Sequence, residues 1–156
     1  MSNNDTLRSI RYALDISDPK IVEIIKLAGH EIDRLSIVNF LKKEDDEGYV
    51  ECNDTVMKTF LDGLIIFKRG QNDAKPDPGQ KSHAPLSNND ILKKLRIAFE
   101  LKEDDLHEIM KLADFSISRP ELSALFRKEG HKNYRKCGDQ VLRNFLKGLT
   151  TRIRGL

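Results

Sequence analysis

The chain has no tryptophan, two cysteines and five prolines in 156 residues, and aromatic side chains make up only 6% of it. Two cysteines cannot build a disulfide scaffold. The start Met-Ser-Asn-Asn-Asp lacks the basic segment and apolar run of an export signal, so free thiols are expected. No stretch approaches the ~18 apolar residues of a membrane span. The expected compartment is therefore the cytoplasm, with no membrane partner. No nucleotide-binding signature is present, and His30, His83, His107 and His131 show no zinc spacing with the cysteines. No cofactor and no metal are expected.

What is present is the balance of a soluble globular chain, 38% hydrophobic and 33% charged. More telling, the first 70 residues are written twice. Residues 2–70 align with 87–155 at a constant offset of 85 and without a gap, and about 25 of the 69 pairs are identical. Ser2-Asn3-Asn4-Asp5 returns as Ser87-Asn88-Asn89-Asp90, and Phe60-Leu61-Asp62-Gly63-Leu64 as Phe145-Leu146-Lys147-Gly148-Leu149. Between the copies, residues 71–86 hold three of the five prolines and little that is apolar, as a linker would, with a reach of ~50 Å when extended. A lone 69-residue unit buries only about 60% of its unfolded surface, so the two copies are expected to pack together.

The net charge of +2 conceals an asymmetry. Ser2–Gly70 carries 10 basic and 13 acidic residues, whereas Ser87–Leu156 carries 15 basic and 10 acidic. Such a difference suits a contact between the copies, a homo-oligomer, or a polyanion bound by the second copy. Of these, pairing of the basic segment 127–136 with the acidic Glu44-Asp45-Asp46-Glu47 is favoured, because the whole chain is near neutral.

Apolar spacing predicts helices throughout. Leu7, Ile10, Ala13 and Leu14 recur at three- and four-residue steps behind an Asn-Asn-Asp cap cluster, as do Leu92, Leu95, Ala98 and Phe99. Asp18-Pro19 reads as an N-cap and first helical residue, leading into Ile21, Ile24, Ile25 and Ala28 with Gly29 as a stop. A third helix begins at Asp33 or Ser118, the latter in a capping box with Glu121. The last opens at Asn53-Asp54 or Gly138-Asp139 and holds Gly63 or Gly148 in its interior, where glycine costs on the order of 1 kcal/mol relative to alanine. A cost carried in both copies points to another backbone crossing closely at Gly63 and Gly148. Where the second copy ends Thr150-Thr151-Arg152, the first has Ile65-Ile66-Phe67, so this end is expected to be covered by the second repeat or by another subunit.

Residues that carry chemistry are few. Tyr49, Cys52 and Asp54 recur as Tyr134, Cys137 and Asp139 at the start of the last helix, with Arg135 and Lys136 beside them in the second copy. Helix-terminal amides lower a thiol pKa, which makes a reactive cysteine conceivable. The structural alternative is a hydrophobic staple, in which the cysteine packs on Met57 or Leu142, and it is the favoured one. A hydrolase built from His131, Cys137 and Asp139 lacks a counterpart in the first copy, where Asp46 replaces His131. A helix-turn-helix is suggested by the second and third helices, but Ile25 and Met110 occupy the place of its small residue. The basic run 127–136 with Tyr134 suits a polyanion patch, while Arg11/Arg96 and Arg34/Arg119 suit bracing of the repeat.

Lys42-Lys43-Glu44-Asp45-Asp46-Glu47-Gly48-Tyr49, Phe60-Leu61-Asp62-Gly63-Leu64-Ile65 and His131-Lys132-Asn133-Tyr134-Arg135-Lys136-Cys137-Gly138-Asp139-Gln140 closely resemble the YehS-like family of small uncharacterised bacterial proteins. The likeness spans essentially the whole chain. It implies a bacterial origin and a two-repeat format, and brings no catalytic residue with it.

The expectation is an all-α protein, a tandem duplication of a four-helix unit with approximate two-fold symmetry: repeat 2–70, linker 71–86, repeat 87–155. Its expected role is non-enzymatic binding of a protein partner or self-association, through the groove between repeats or the face around Tyr49, Cys52, Asp54, Tyr134, Arg135, Lys136, Cys137 and Asp139. The alternative is a nucleic-acid-binding regulator that uses the basic second repeat.

Overall fold

The computed structural model describes residues 1–70 and 85–156, so all of the proline-bearing linker except Pro85 and Leu86 lies outside the described residues. Among the described residues there are eight helices and no strand. They are α1 (Asn3–Leu14), α2 (Asp18–Leu27), α3 (Arg34–Leu41), α4 (Asp54–Arg69), α5 (Asn88–Ala98), α6 (Glu103–Leu112), α7 (Arg119–Ala124) and α8 (Asp139–Arg154). The first four and the last four are two copies of one unit.

Local chemistry explains where the helices start. Ser2 and Ser87 cap α1 and α5 in reciprocal capping boxes, each hydroxyl accepting from the backbone N–H of Asp5 or Asp90 at 3.1 Å. Asp33 accepts from the Ser36 N–H at 2.7 Å, and Ser118 pairs reciprocally with Glu121. Helix α2 begins one residue earlier than its sequence suggests. Ser17 is the N-cap and accepts from the Lys20 N–H at 3.3 Å, which puts Asp18 and Pro19 inside the first turn. Serine caps as well as aspartate does, and proline is tolerated there because first-turn amides have no intrahelical acceptor.

Packing follows the two-fold. Helix α2 crosses α4, and α6 crosses α8 in the same way. The first helix of each repeat behaves differently: α1 lies mainly along α8, and α5 along α4, so each leans on the other repeat's last helix more than on its own. With the lighter α1–α4 and α5–α8 contacts these four helices form a closed ring, and their apolar faces join one core that includes Leu7, Ile10, Phe60, Leu64, Leu92, Leu95 and Phe145. Each fully buried side chain of this kind contributes roughly 1.5–3 kcal/mol. Polar ties run across the same seam: Lys94 to Asp62 at 2.5 Å, Arg69 to Glu100 at 2.9 Å, and Arg154 donating to the Tyr12 carbonyl at 2.7 Å.

The two glycines inside α4 and α8 sit at the crossings. A Cβ on Gly63 would overlap the carbonyl oxygen of Ile24 and stand 2.8 Å from its carbonyl carbon; on Gly148 it would meet Ile109 in the same way, also at 2.8 Å from the carbon. Contact here is backbone on backbone.

One expectation about the surface does not survive. The acidic loop 44–47 forms no ion pair with the basic segment 127–136 among the described residues. Its position explains this, because α3 packs only on α1 and α2, and α7 only on α6, so the loops after them lie on opposite outer flanks. At the end of α4, Ile65 is buried and Ile66 partly so, but Phe67 remains 39% exposed. Lys20 of its own repeat lies 4.6 Å from the Phe67 ring centroid.

Candidate functional site

The repeated Tyr-x-x-Cys-x-Asp segment leads from the loop into the last helix of each unit, and the structure shows what holds it. Asn4 is fully buried; its amide donates to the carbonyls of Phe40 at 2.9 Å and Val50 at 2.8 Å, and its carbonyl accepts the Cys52 N–H at 2.9 Å. Asn89 does the same with Leu125, Arg135 and Cys137, each at 2.9 Å. One residue earlier, Asn3 donates to the Cys52 carbonyl and to Asp54, and Asn88 to the Cys137 carbonyl and Asp139. The Ser-Asn-Asn-Asp motif is thus more than a cap cluster. Its outer residues start the helix, and its two asparagines clamp the loop that precedes the next long helix. The signal was visible as an exact four-residue repeat, but a clamp and a cap draw on the same residue types.

Asp54 and Asp139 join this clamp to the other repeat. Asp54 accepts the Leu86 N–H at 3.0 Å, and Asp139 the Met1 ammonium at 2.6 Å. Residues 1 and 86 are related by the repeat, so the two contacts are two-fold mates. The Leu86 N–H and then Asn3 hold the Asp54 carboxyl below the usual range, and the Met1 ammonium with Asn88 does so for Asp139. Both carboxylates are already occupied by the fold.

Cys52 and Cys137 are each only 2% exposed, which removes them from the binding face expected around them. Burial, reinforced by the adjacent aspartate, pushes the Cys52 thiol up to about 12 and the Cys137 thiol up to about 11. The helix amides do lie near, yet desolvation dominates. Cys52 shares the core with Met57, and Cys137 with Leu142, as a staple requires. Alkylation of both thiols by iodoacetamide at pH 8 is expected to run at least about a hundredfold slower in the folded protein than in guanidinium chloride. Comparable rates would show that the sulfur atoms are accessible.

His131, Cys137 and Asp139 do not come together. The His131 Nδ1 accepts from the Asn133 N–H at 3.0 Å, Asp139 is held by Asn88 and Met1, and no hydrogen bond links any two of the three. Residues 28–33 separate α2 from α3, and α7 is only six residues long, which suits a helical hairpin better than a helix-turn-helix. The paired arginines brace the repeat in unlike ways. Arg11 stands 3.4 Å from Asp18, whereas Arg96 donates to the Leu101 carbonyl at 3.0 Å and stacks on Phe126.

What remains of the expected face is polar and concentrated in the second repeat. Tyr134, partly exposed, and Arg135 line a shallow groove of ≈ 790 Å³ with Arg119, Glu121, Arg127 and Lys132. Arg119 pairs with Asp104 at 2.8 Å and Arg135 with Glu121 at 3.0 Å, while Arg127 and Lys132 have no carboxylate partner among the described residues. Lys136 is exposed nearby. In the first repeat the matching positions carry Arg34, Ser36, Lys42, Glu47 and Val50, with Val50 exposed. Two of the cations, Lys132 and Arg135, are thus particular to the second copy. No helix among the described residues is long and apolar enough to cross a membrane.

The same two-unit pattern appears when the chain is set beside known proteins. It is similar to the "Uncharacterized protein YehS" of Escherichia coli (strain K12), with 45% identity over 154 residues that cover 97% of this chain and 96% of the relative. No solved structure matches it. The family model described as "Protein of unknown function (DUF1456)" matches twice, over residues 3–70 and 88–155, and these matches take in every helix from α1 to α8, so the chain belongs to that family and carries its unit in two tandem copies.

Proposed function

We propose that the protein is a non-enzymatic binding protein that engages an acidic segment of a protein partner through the groove between α7 and residues 132–135. The observation that carries this reading is the pair of cations without a carboxylate partner among the described residues, Arg127 and Lys132, beside Tyr134 in an open groove, where the first repeat has Lys42 and Glu47. Its lining mixes both signs of charge, with Glu103 and Glu121 among the cations. A nucleic-acid backbone is best met by a run of unopposed Lys and Arg, whereas a protein segment with carboxylates tolerates interspersed acids. The tyrosine supplies a semi-rigid apolar contact of the sort common at the centre of interfaces.

The nucleic-acid reading is favoured by one feature, the aromatic ring within a basic loop. Capture from an Escherichia coli lysate, with and without nuclease, separates the two. A protein partner that survives nuclease and is lost with the Arg127→Glu/Lys132→Glu double variant supports the proposal. Capture that disappears with nuclease supports the alternative, and capture unaffected by the double variant removes this groove from either role.

A further inference from the structure

The two-fold relates two seams, α1 with α8 and α5 with α4, and they are not built alike. At the α5–α4 seam Lys94 reaches Asp62 at 2.5 Å, with the lysine side chain only 13% exposed, and Ile65 is buried alongside. At the α1–α8 seam the positions of Lys94, Asp62 and Ile65 are taken by Ser9, Lys147 and Thr150. The filling ion pair is gone, a hydroxyl replaces the isoleucine, and a groove of ≈ 480 Å³ opens between the helices.

Its lining is cationic. Arg143 and Lys147 lie one helical turn apart on α8 and share a face; Arg143 is near enough to Asp139 to help hold its carboxyl low, and neither cation forms a close ion pair among the described residues. Arg8 enters from α1, its guanidinium held by Asp5 and by the Lys42 carbonyl at 2.7 Å. Asp5 is the single carboxylate of the lining, already committed to Arg8 and to its own helix cap. Tyr12 stands at the end of the groove with the Arg154 guanidinium 4.5 Å from its ring centroid. Ser9 and Thr150 add hydroxyls.

We infer that this seam binds a small molecule carrying a phosphate group, held by Arg8, Arg143 and Lys147, with its organic part towards Tyr12. A tetrahedral dianion matches the cations and hydroxyl donors that line this one groove, and a guanidinium such as that of Arg143 can grip it in a fork. Size limits the ligand. Residues 5–12 and 143–150 each span roughly 10 Å of helix, enough for one phosphate and a mononucleotide-sized body and too short for a track of several phosphates. The site is independent of the groove beside α7, since the two share no residue.

The test uses the full chain labelled with ¹⁵N and titrated with inorganic phosphate and with AMP at constant ionic strength. Saturable amide shifts centred on Arg8, Ser9, Arg143 and Lys147 are expected, with AMP also moving Tyr12. The double variant Ser9→Lys/Lys147→Asp copies the Lys94–Asp62 pair into this seam and should weaken binding at least tenfold. Lys147→Gln, which needs no rebuilding, should weaken it severalfold with an unchanged melting temperature. Absent or non-saturable shifts in the natural protein overturn the inference, as do equal affinities in the natural and Lys147→Gln proteins. A short single-stranded oligonucleotide that binds tighter than AMP would assign the seam to a polynucleotide and overturn the small-molecule source.

Discussion

Alanine at Gly63 or Gly148 should lower stability by about 3 kcal/mol each, the upper part of the range for inserting a methyl group into a packed interior. Helix propensity alone predicts the reverse, a gain approaching 1 kcal/mol for glycine to alanine within a helix. Steric overlap decides the sign. The added carbon would collide with the Ile24 or Ile109 carbonyl, 2.8 Å from the carbonyl carbon and 3.1 or 3.0 Å from the Cγ2 methyl. Backbone cannot rotate out of the way as a side chain can, so α2 would have to lift from α4, or α6 from α8, along the whole crossing. For a chain of this length the change corresponds to a fall of about 6–12 °C in melting temperature. The two sites lie in different repeats, and their effects should add. Thermal unfolding of the two single variants and the double variant measures this directly, and an unchanged or higher melting temperature would refute the close crossing.

Replacing Asn4 or Asn89 by alanine should cost about 2–4 kcal/mol, and leucine no less. Each asparagine satisfies two carbonyls and one N–H with a single amide, and each is at most 2% exposed. Removing the side chain leaves those backbone groups buried without partners, at about 1–3 kcal/mol for an unpaired group, moderated where water enters. Aspartate is the more revealing substitution. It keeps the shape and the acceptor for the Cys52 or Cys137 N–H, but turns the two donors into an oxygen facing two carbonyls. Asn4→Asp should therefore destabilise at neutral pH at least as much as alanine, and recover in part as the carboxyl is protonated in acid. Urea unfolding at pH 7 and pH 4 reads the difference. Thiol labelling gives a second readout, because release of the loop exposes Cys52.

Much of this architecture was legible before any coordinates. The 85-residue offset marks the two units, the three- and four-residue spacing of Leu7, Ile10 and Ala13 marks the buried stripe of α1, and glycine within α4 and α8 marks a close approach. The partner of that stripe was not legible. Periodicity says which face is apolar and nothing about what covers it, so the leaning of α1 on α8 rather than α4 emerges only in three dimensions. The off-by-one start of α2 has a local cause, since Ser17 and Asp18 are both good caps and adjacent. Charge complementarity misled more seriously. Glu44–Glu47 and Arg127–Arg135 are opposite in sign, but they follow α3 and α7, which never touch the other repeat. The residues grouped around the cysteines divide by burial. Tyr134 and Arg135 line a groove, whereas Cys52 and Cys137 serve the core.

The seam between α1 and α8 joins residues of the first repeat to residues synthesised much later. Until Asp139–Arg154 has left the ribosome, Leu7 and Ile10 lack the helix that covers them, and no early portion of the chain can complete its interior. Moving the chain ends, by joining residue 156 to residue 1 and opening the segment between the repeats, would make that pairing local and should speed refolding without altering the final packing.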